Sequence, residues 1–366
     1  LSIALLAVFV LGIVPLHSVS AQTSADDVTL ALAYLQSQLQ PDGGLPGLSG
    51  TSDPGTTARA ILGLHAVGKS AQALQTDQGE NPALYLQSNY AAYTNDANGL
   101  LFPANAGLIL AALSLEQNGQ PELLTALLES LQEDGSFATA ASADFNTGIA
   151  TGLSQAFAIL GIAASATPVP PSAVEYLLSQ QLEDGTWDNG FGSDPDTTAL
   201  AVIALLSSGQ VQPQDPAIQN ALAYFRNTQL ENAAWRPSWD TDELNVDTSG
   251  WITLALISAG EDLSAWAKGT ASPQSAILTQ QKEDGSIGGT YVGVYSTIEA
   301  LFGLAGAPLF TPAPAADIPP ATSNNQAALV VTLPDGTSAL RCVAFTTPEI
   351  TGFDFLQASG LKMESV

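Results

Sequence analysis

The fold is decided by the stretch Gln181-Leu-Glu-Asp-Gly-Thr-Trp187 together with Asp194-Pro-Asp-Thr-Thr-Ala-Leu-Ala-Val-Ile-Ala-Leu-Leu206, which follows shortly after it. The Asp-Gly pair predicts a turn, because glycine accepts the positive φ that ends a helix and aspartate can bond the local backbone. Asp194 and the threonines after it can satisfy the free amides of a helix start. The stretch therefore predicts a tight turn that leads into a strongly apolar helix.

The turn phrase recurs at intervals of about 35 to 55 residues, which is the range typical of repeat architectures. Clear copies are Gln40-Pro-Asp-Gly-Gly-Leu45, Gln132-Glu-Asp-Gly-Ser-Phe137 and Gln281-Lys-Glu-Asp-Gly-Ser-Ile287, and weaker copies are Asn95-Asp-Ala-Asn-Gly-Leu-Leu-Phe102 and Gln229-Leu-Glu-Asn-Ala-Ala-Trp235. Helix starts like the one at Asp194 also occur around Asp53, Asp144 and Asp247. The chain is therefore built from repeated helical hairpins.

Each hairpin combines an amphipathic helix before the turn with a nearly all-apolar helix after it. We expect outer helices at 27–39, 80–93, 120–132, 171–182, 215–228 and 273–281, and inner helices at 55–68, 104–118, 146–164, 196–208, 247–259 and 295–305. Two concentric layers of helices require amphipathic outer helices and apolar inner helices, because only the outer helices have a face exposed to solvent. The prediction is an all-α protein, an α6/α6 toroid, with an open solenoid as the competing arrangement.

A family resemblance follows from these phrases. The Gln-x-x-Asp-Gly-small-aromatic phrase and the Asp-x-x-Thr-Ala helix starts resemble the repeats of the squalene and terpenoid cyclases and the protein prenyltransferase β subunits. The resemblance covers about residues 26–306. It implies an α/α toroid with the squalene cyclase and prenyltransferase type of repeat, and it does not by itself imply an enzyme.

Composition excludes polyanionic partners. Of 366 residues, 46% are hydrophobic, and 35 acidic residues against 8 basic ones give a formal charge of −27. Nucleic acid and anionic membrane surfaces both need clustered Lys and Arg, whereas the basic residues here are scattered along the chain. We expect a core of good size and a partner other than nucleic acid.

The first residues have the character of an export signal. Leu1 to Leu16 is almost wholly apolar, and Val19 and Ala21 occupy the small-residue positions of a cleavage site before Gln22. The apolar run, interrupted by Pro15, is shorter than the roughly 20 residues of a transmembrane helix. We therefore predict a signal peptide at 1–21, an extracytoplasmic mature protein that is secreted or held at the cell surface, and no membrane span after cleavage.

The C-terminal part changes character after the repeats. We expect a Pro/Ala-rich linker at 307–326 and a β-rich segment at 327–366, with a hairpin formed by Leu329 to Leu333, a Pro-Asp-Gly turn and Leu340 to Phe345. Two or three strands do not form a stable core alone, so the segment is interpreted as the truncated start of a β domain. Cys342, the single cysteine, would then pair with a missing downstream cysteine, with a free buried thiol as the alternative.

The tail and the closing repeat, Asn245 to Asp262, look like the cobalamin carriers, such as intrinsic factor and transcobalamin, and their secreted bacterial relatives. In that group a toroid precedes a small β domain, and a corrinoid lies between the two. The resemblance implies a corrinoid as ligand rather than as cofactor. It fixes no individual contact residue.

The catalytic motifs of the superfamily are incomplete. The prenyltransferase zinc site needs Asp, Cys and His, but the repeats contain no Cys, and His65 lies in an apolar run typical of a structural residue. The sequence also lacks the Cys-Gly-Glu-Gln motif of the complement-type thioester domains, which share the toroid. Squalene-type cyclases use the middle acid of Asp-x-Asp-Asp; Asp194-Pro195-Asp196-Thr197 resembles it but lacks the last aspartate, which leaves Asp196, with Asp194, as the general acid if the protein is a cyclase.

The missing motifs favour a non-catalytic binding protein whose ligand lies where the inner helices begin, capped by the C-terminal segment. The alternatives are a surface adhesion or interaction module and a terpenoid cyclase. Helix capping is the competing role for each aspartate, and packing between repeats competes for Trp187. The candidate ligand-binding residues are Asp144, Asp194, Asp196, Asp247, Trp187, Trp251, Tyr291 and Tyr295.

Overall fold

The computed structural model describes residues 25–137, 151–310, 325–332 and 338–345. Its helical part consists of hairpins in two layers, as the repeats predict. The outer helices are α1 (Ala25–Gln38), α3 (Pro82–Asn89) with the short α4 (Ala91–Thr94), α6 (Pro121–Glu129), α8 (Pro171–Ser179), α10 (Pro216–Thr228) and α12 (Pro273–Leu278). The inner helices are α2 (Pro54–Ala66), α5 (Pro103–Leu115), α7 (Gly152–Ala164), α9 (Pro195–Ser207), α11 (Val246–Ser258) and α13 (Val294–Gly303).

The inner helices form a closed ring. Each of them packs against the next along the chain, from α2 through α5, α7, α9 and α11 to α13, and α13 packs back against α2. They are buried on nearly all sides, which their all-apolar sequences anticipate. This closure confirms the predicted all-α toroid and excludes the open solenoid.

Glycines let the inner helices approach backbone to backbone. A Cβ placed on Gly107 of α5 would lie 2.0 Å from the carbonyl oxygen of Phe157 in α7. A Cβ on Gly161 of α7 would lie 2.6 Å from the Cα of Gly107. Since neither distance leaves room for a methyl group, these two positions require glycine. The small residues of the inner helices therefore allow adjacent helices of the ring to pack closely.

The repeated glutamine connects neighbouring hairpins. Gln181 Nε2 donates to the carbonyl of Ala217 at the start of the next outer helix, 2.8 Å away. Gln229 makes the equivalent bond to Trp266, 2.7 Å away. Gln281 in the last hairpin bonds Asp27 of α1, 2.8 Å away. One contact type thus joins successive repeats and also joins the last repeat to the first.

Gln155 takes this role for the hairpin of α6 and α7. Its amide, wholly buried, donates to the carbonyls of Gly135 and Ala173 and accepts from the backbone N–H of Phe137. We expect Gln155→Ala to lower the free energy of unfolding by about 3 kcal/mol, because buried backbone groups lose their partners. Urea denaturation measures this. The control Gln87→Ala changes an exposed residue of α3 and is expected to have an effect below about 0.5 kcal/mol.

The C-terminal segment contains β1 (Asn325–Thr332) and β2 (Ser338–Phe345), which pair antiparallel with Ala328 opposite Cys342. Both strands overlap the predicted ones, but the first begins at Asn325, inside the predicted linker at 307–326. The predicted turn, the side chain of Cys342, the signal peptide and most of the predicted linker lie outside the described residues. Among the helices that are described, none is both long and apolar enough to cross a membrane.

Candidate functional site

The inner helices all begin at one face of the ring, which we call the mouth. Three of them have the same cap: Asp53, Asp194 and Asn245 each accept a hydrogen bond from the backbone N–H three residues ahead, at 2.7, 2.8 and 2.9 Å. Asp194 is therefore a capping residue of α9. Asp196 and Asp247 lie two positions inside their helices, so capping does not account for them.

Counting from the caps reveals two layers of side chains in the mouth. The upper layer, two positions after the cap, contains Gly55, Leu153, Asp196, Asp247 and Tyr295. The lower layer, six positions after the cap, contains Arg59, Phe157, Leu200, Trp251 and Glu299. Four residues of α-helix rise about 6 Å, so the lower layer lies about one turn deeper in the ring.

An ion pair occupies the lower layer. Arg59 Nε lies 3.5 Å from Glu299 Oε1, and the Glu299 residue is only 2% exposed. The Arg59 guanidinium also lies over two aromatic rings, 5.7 Å from the centre of Phe157 and 5.4 Å from that of Tyr295. Burial, and next the nearby Asp247, raise the pKa of Glu299 well above its usual range, although Arg59 opposes this.

The pKa values of the two aspartates of the upper layer are raised. Burial, followed by the charge of Asp194, raises the pKa of Asp196 to about 7. Burial and then Asp240 raise the pKa of Asp247 to about 6. A fraction of these carboxyls is therefore protonated near neutral pH.

Several oxygen atoms in the mouth lack hydrogen-bond partners. They are the buried atoms Asp196 Oδ1, Asp247 Oδ1, Thr248 Oγ1 and Glu299 Oε1; the Arg59 Nε donor is likewise without a hydrogen bond, and the Thr248 hydroxyl lies near the Asp196 carboxyl. Buried polar atoms are nearly always paired, so several unpaired acceptors in one place mark a site whose partner is not part of the protein. The set is contributed by α9, α11 and α13, which the ring brings side by side.

Aromatic side chains close the mouth from below. The ring of Trp251 meets the edge of Phe157 at 6.3 Å and lies 4.6 Å from Phe302. All three residues are buried and pack against one another. Tyr295, by contrast, is 41% exposed although it stands beside buried Glu299. The mouth therefore has an acidic wall and an aromatic floor.

The predicted residues separate into three groups. Asp194, Asp196, Asp247, Trp251 and Tyr295 lie in the mouth, and exposed Tyr291 lies on its rim, where it lines a cleft of about 10 Å³ with Asp247. Trp187 is wholly buried, and its indole N–H donates to the Leu177 carbonyl, which agrees with the packing role that competed with ligand binding in its prediction. Asp144 lies outside the described residues.

Sequence reasoning missed Arg59, Glu299, Phe157 and Tyr93. The phenol of Tyr93 lies over the start of α2 at Gly55, where any Cβ would meet its oxygen at 2.4 Å, and it interacts with Arg59. Aligning the inner helices by their caps would have found three of the four, because Arg59, Phe157 and Glu299 share one position. Tyr93 lies in the outer helix α4, so an alignment of the inner helices does not find it.

Metal binding finds no support in the described residues, which contain no group of three or more His, Cys, Asp and Glu placed to hold an ion. His65 has a structural role at the opposite end of the ring, where its Nε2 lies 2.7 Å from Glu116 Oε1. A cavity of about 620 Å³ opens at that end, lined by His65, Lys69 and aliphatic residues. It contains no cluster comparable to the mouth.

Comparison with known proteins supports the fold. No family model matches the chain. The squalene–hopene cyclase of Zymomonas mobilis is 27% identical over 104 residues, which are 26% of this chain and 16% of that enzyme. A probable squalene–hopene cyclase of Sinorhizobium fredii is 33% identical over 81 residues, 19% of this chain and 12% of that protein. The matched stretches thus span less than a fifth of either relative.

Among solved structures, the type II terpene cyclase MstE from Scytonema matches with a TM-score of 0.54 and 16% identity, over 76% of this chain and 96% of that one. At this identity the match establishes the fold alone. The chain therefore has the α/α toroid fold of that terpene cyclase.

Proposed function

We propose that this protein is a non-catalytic, extracytoplasmic binding protein that holds a small ligand in the mouth of its toroid. The observation that carries the proposal is the set of buried oxygens of Asp196, Asp247 and Glu299 that accept no hydrogen bond, with the Arg59 ion pair beside them. Buried acceptors without a donor cost free energy, and a bound ligand with donor groups would recover it. The secreted or cell-surface location rests on the predicted signal peptide.

The surroundings of Asp196 favour binding over proton donation to an alkene. Burial, followed by the charge of Asp194, raises the pKa of Asp196, which makes it a weaker acid, whereas a cyclase needs a strong one. The position of the third carboxylate is occupied by Thr197, whose hydroxyl donates to Asp194, 2.6 Å away. The residues one turn deeper than Asp196 and Asp247, Leu200 and Trp251, are packed in the core.

A corrinoid is the first ligand to test, since the resemblance to the cobalamin carriers implies it. We expect cobinamide or cobalamin to bind with a spectral shift and near-stoichiometric saturation, and Glu299→Gln and Asp247→Asn to weaken binding. Glu129→Gln, on the exposed side of α6, is the matched control for charge. Absence of binding at about 10 µM would reject the corrinoid and leave other small ligands for the mouth.

A terpenoid cyclase is the second candidate, because Asp196 is partly protonated at neutral pH and the matched relatives are named as squalene–hopene cyclases. Squalene or a prenyl diphosphate incubated with the protein would be converted to a cyclic product, and Asp196→Asn would abolish the conversion. Product formation that survives in Glu129→Gln and stops in Asp196→Asn would replace the binding proposal.

A surface interaction module is the remaining alternative. Loops that precede the inner helices carry exposed apolar residues, among them Leu48, Leu100, Trp239 and Tyr291. Such residues around one face are typical of contact with another macromolecule. A partner that is lost in Trp239→Ser but retained in Asp247→Asn would favour this alternative over a small ligand.

A further inference from the structure

We infer that the mouth binds an organic cation, an ammonium or guanidinium group with an apolar substituent; this rests on the proposed binding function and names its ligand class. The first argument is the balance of charge. The carboxyls of Asp194, Asp196, Asp247 and Glu299 are close enough to influence one another, and Arg59 is the cation that faces Glu299 among the described residues. The mouth therefore has an excess of negative groups.

The charged groups around the mouth do not remove this excess. Arg236 lies at the rim, where its guanidinium donates to the backbone carbonyl of Asp242. Asp240 accepts from the side-chain amide of Asn245 and adds to the negative field at Asp247. Burial is the largest cause of the raised pKa values of Asp196, Asp247 and Glu299, neighbouring carboxylates add to it, and Arg59 opposes it at Glu299. A bound cation would let the carboxyls ionise and release their protons.

The second argument is the unpaired acceptors. Glu299 is 2% exposed, yet its Oε1 accepts no hydrogen bond, because Arg59 Nε at 3.5 Å is in ion-pair contact only. Asp247 Oδ1 is a further buried acceptor without a donor, and Asp196 Oδ1 accepts no hydrogen bond within normal geometry, although the Thr248 hydroxyl lies near its carboxyl. Ammonium and guanidinium groups donate several N–H bonds and also carry the compensating charge.

The third argument is the aromatic side chains of the mouth, which favour an organic cation over a metal ion as the ligand. Tyr295 and Phe157 already accept the face of one guanidinium, that of Arg59. Trp251 contacts Phe157, and the exposed rings of Tyr291 and Trp239 lie in the loops that precede α13 and α11. Aromatic faces attract cations and shelter apolar substituents. The described carboxyls do not converge on one point as metal ligands would.

The test compares phenethylammonium with phenethyl alcohol, its neutral counterpart, on the whole protein by isothermal titration near neutral pH. We expect the ammonium to bind at least about tenfold more tightly than the alcohol, and Asp247→Asn and Glu299→Gln to remove most of this difference. Titration in two buffers with different ionisation enthalpies should show proton release on binding. The control Glu129→Gln should bind both probes like the wild type.

Equal affinity for the two probes would overturn the cation inference and leave the binding function intact. Binding of cobinamide without any binding of phenethylammonium up to about 1 mM would have the same meaning. If neither the probes nor corrinoids bind, the inference fails together with the proposed function. Ammonium binding that is unchanged in both mouth variants would place the probe elsewhere and also overturn the inference.

Discussion

Asp196→Asn is expected to raise the free energy of unfolding by about 2–4 kcal/mol at about pH 8, although most substitutions of buried polar residues destabilise. The pKa of Asp196 is raised from its ordinary value of 3.8 to about 7. Below about pH 4 this carboxyl is protonated in both the folded and the unfolded protein. Between this ordinary pKa and the folded pKa, ionisation is favourable only in the unfolded chain, so the folded state loses stability as the pH rises, and above about pH 7 the loss is complete.

The sign of the pH dependence follows. Between about pH 4 and pH 7 the folded protein binds more protons than the unfolded one, so stability falls as the pH rises. Asparagine does not titrate, so Asp196→Asn removes the contribution of this residue to the pH dependence of the free energy of unfolding. Urea denaturation of wild type and variant across this range measures the effect. We expect the two curves to converge at low pH and to separate progressively above it.

Asp194→Ala provides the matched comparison two residues away. It removes the cap of α9, whose carboxylate accepts from the backbone and hydroxyl of Thr197, and should destabilise by about 1 kcal/mol. The two substitutions are thus expected to have opposite signs. A loss of stability in Asp196→Asn at every pH would mean that Asp196 has an ordinary structural role and would contradict the site described here.

Gly107→Ala is expected to destabilise by about 3 kcal/mol or more, since the new methyl group would lie 2.0 Å from the carbonyl oxygen of Phe157. The helix propensity of alanine recovers only about 1 kcal/mol. Relief of the clash requires α5 and α7 to separate, which also displaces Phe157 from the floor of the mouth. Thermal and urea unfolding measure the loss.

Gly119→Ala is the control, because a Cβ at Gly119 has no neighbour within 4 Å. Its effect should stay within about 1 kcal/mol. A Gly107→Ala protein as stable as wild type would show that the inner helices are not packed backbone to backbone, and the narrow closed ring would then be wrong.

The fold was largely predictable from sequence because each repeat carries its own turn and cap. The inner helix predicted at 55–68 is observed as Pro54–Ala66, and the outer helix predicted at 215–228 as Pro216–Thr228. Where the outer helix was expected at 80–93, the chain forms Pro82–Asn89 and Ala91–Thr94 instead. From the sequence, the number of hairpins favoured a closed ring but did not establish it. The contact that closes the ring, from Gln281 to Asp27, joins residues at the two ends of the toroid and has no local signal in the sequence.

The candidate site was predictable only in part. Asp196, Asp247 and Tyr295 were found because they stand in recognisable helix starts, but their role was confused with that of the true caps Asp194 and Asn245. Arg59 and Glu299 meet only because the ring brings α13 beside α2. A contact between residues so far apart in the chain has no local signal.

The most direct test of the central claim is the crystal structure of the protein soaked separately with cobinamide and with phenethylammonium. We predict that at least one of them occupies the mouth, with polar atoms within hydrogen-bond distance of Asp196, Asp247 or Glu299. An empty mouth in both crystals, with either compound found instead in the cavity lined by His65 and Lys69, would contradict it.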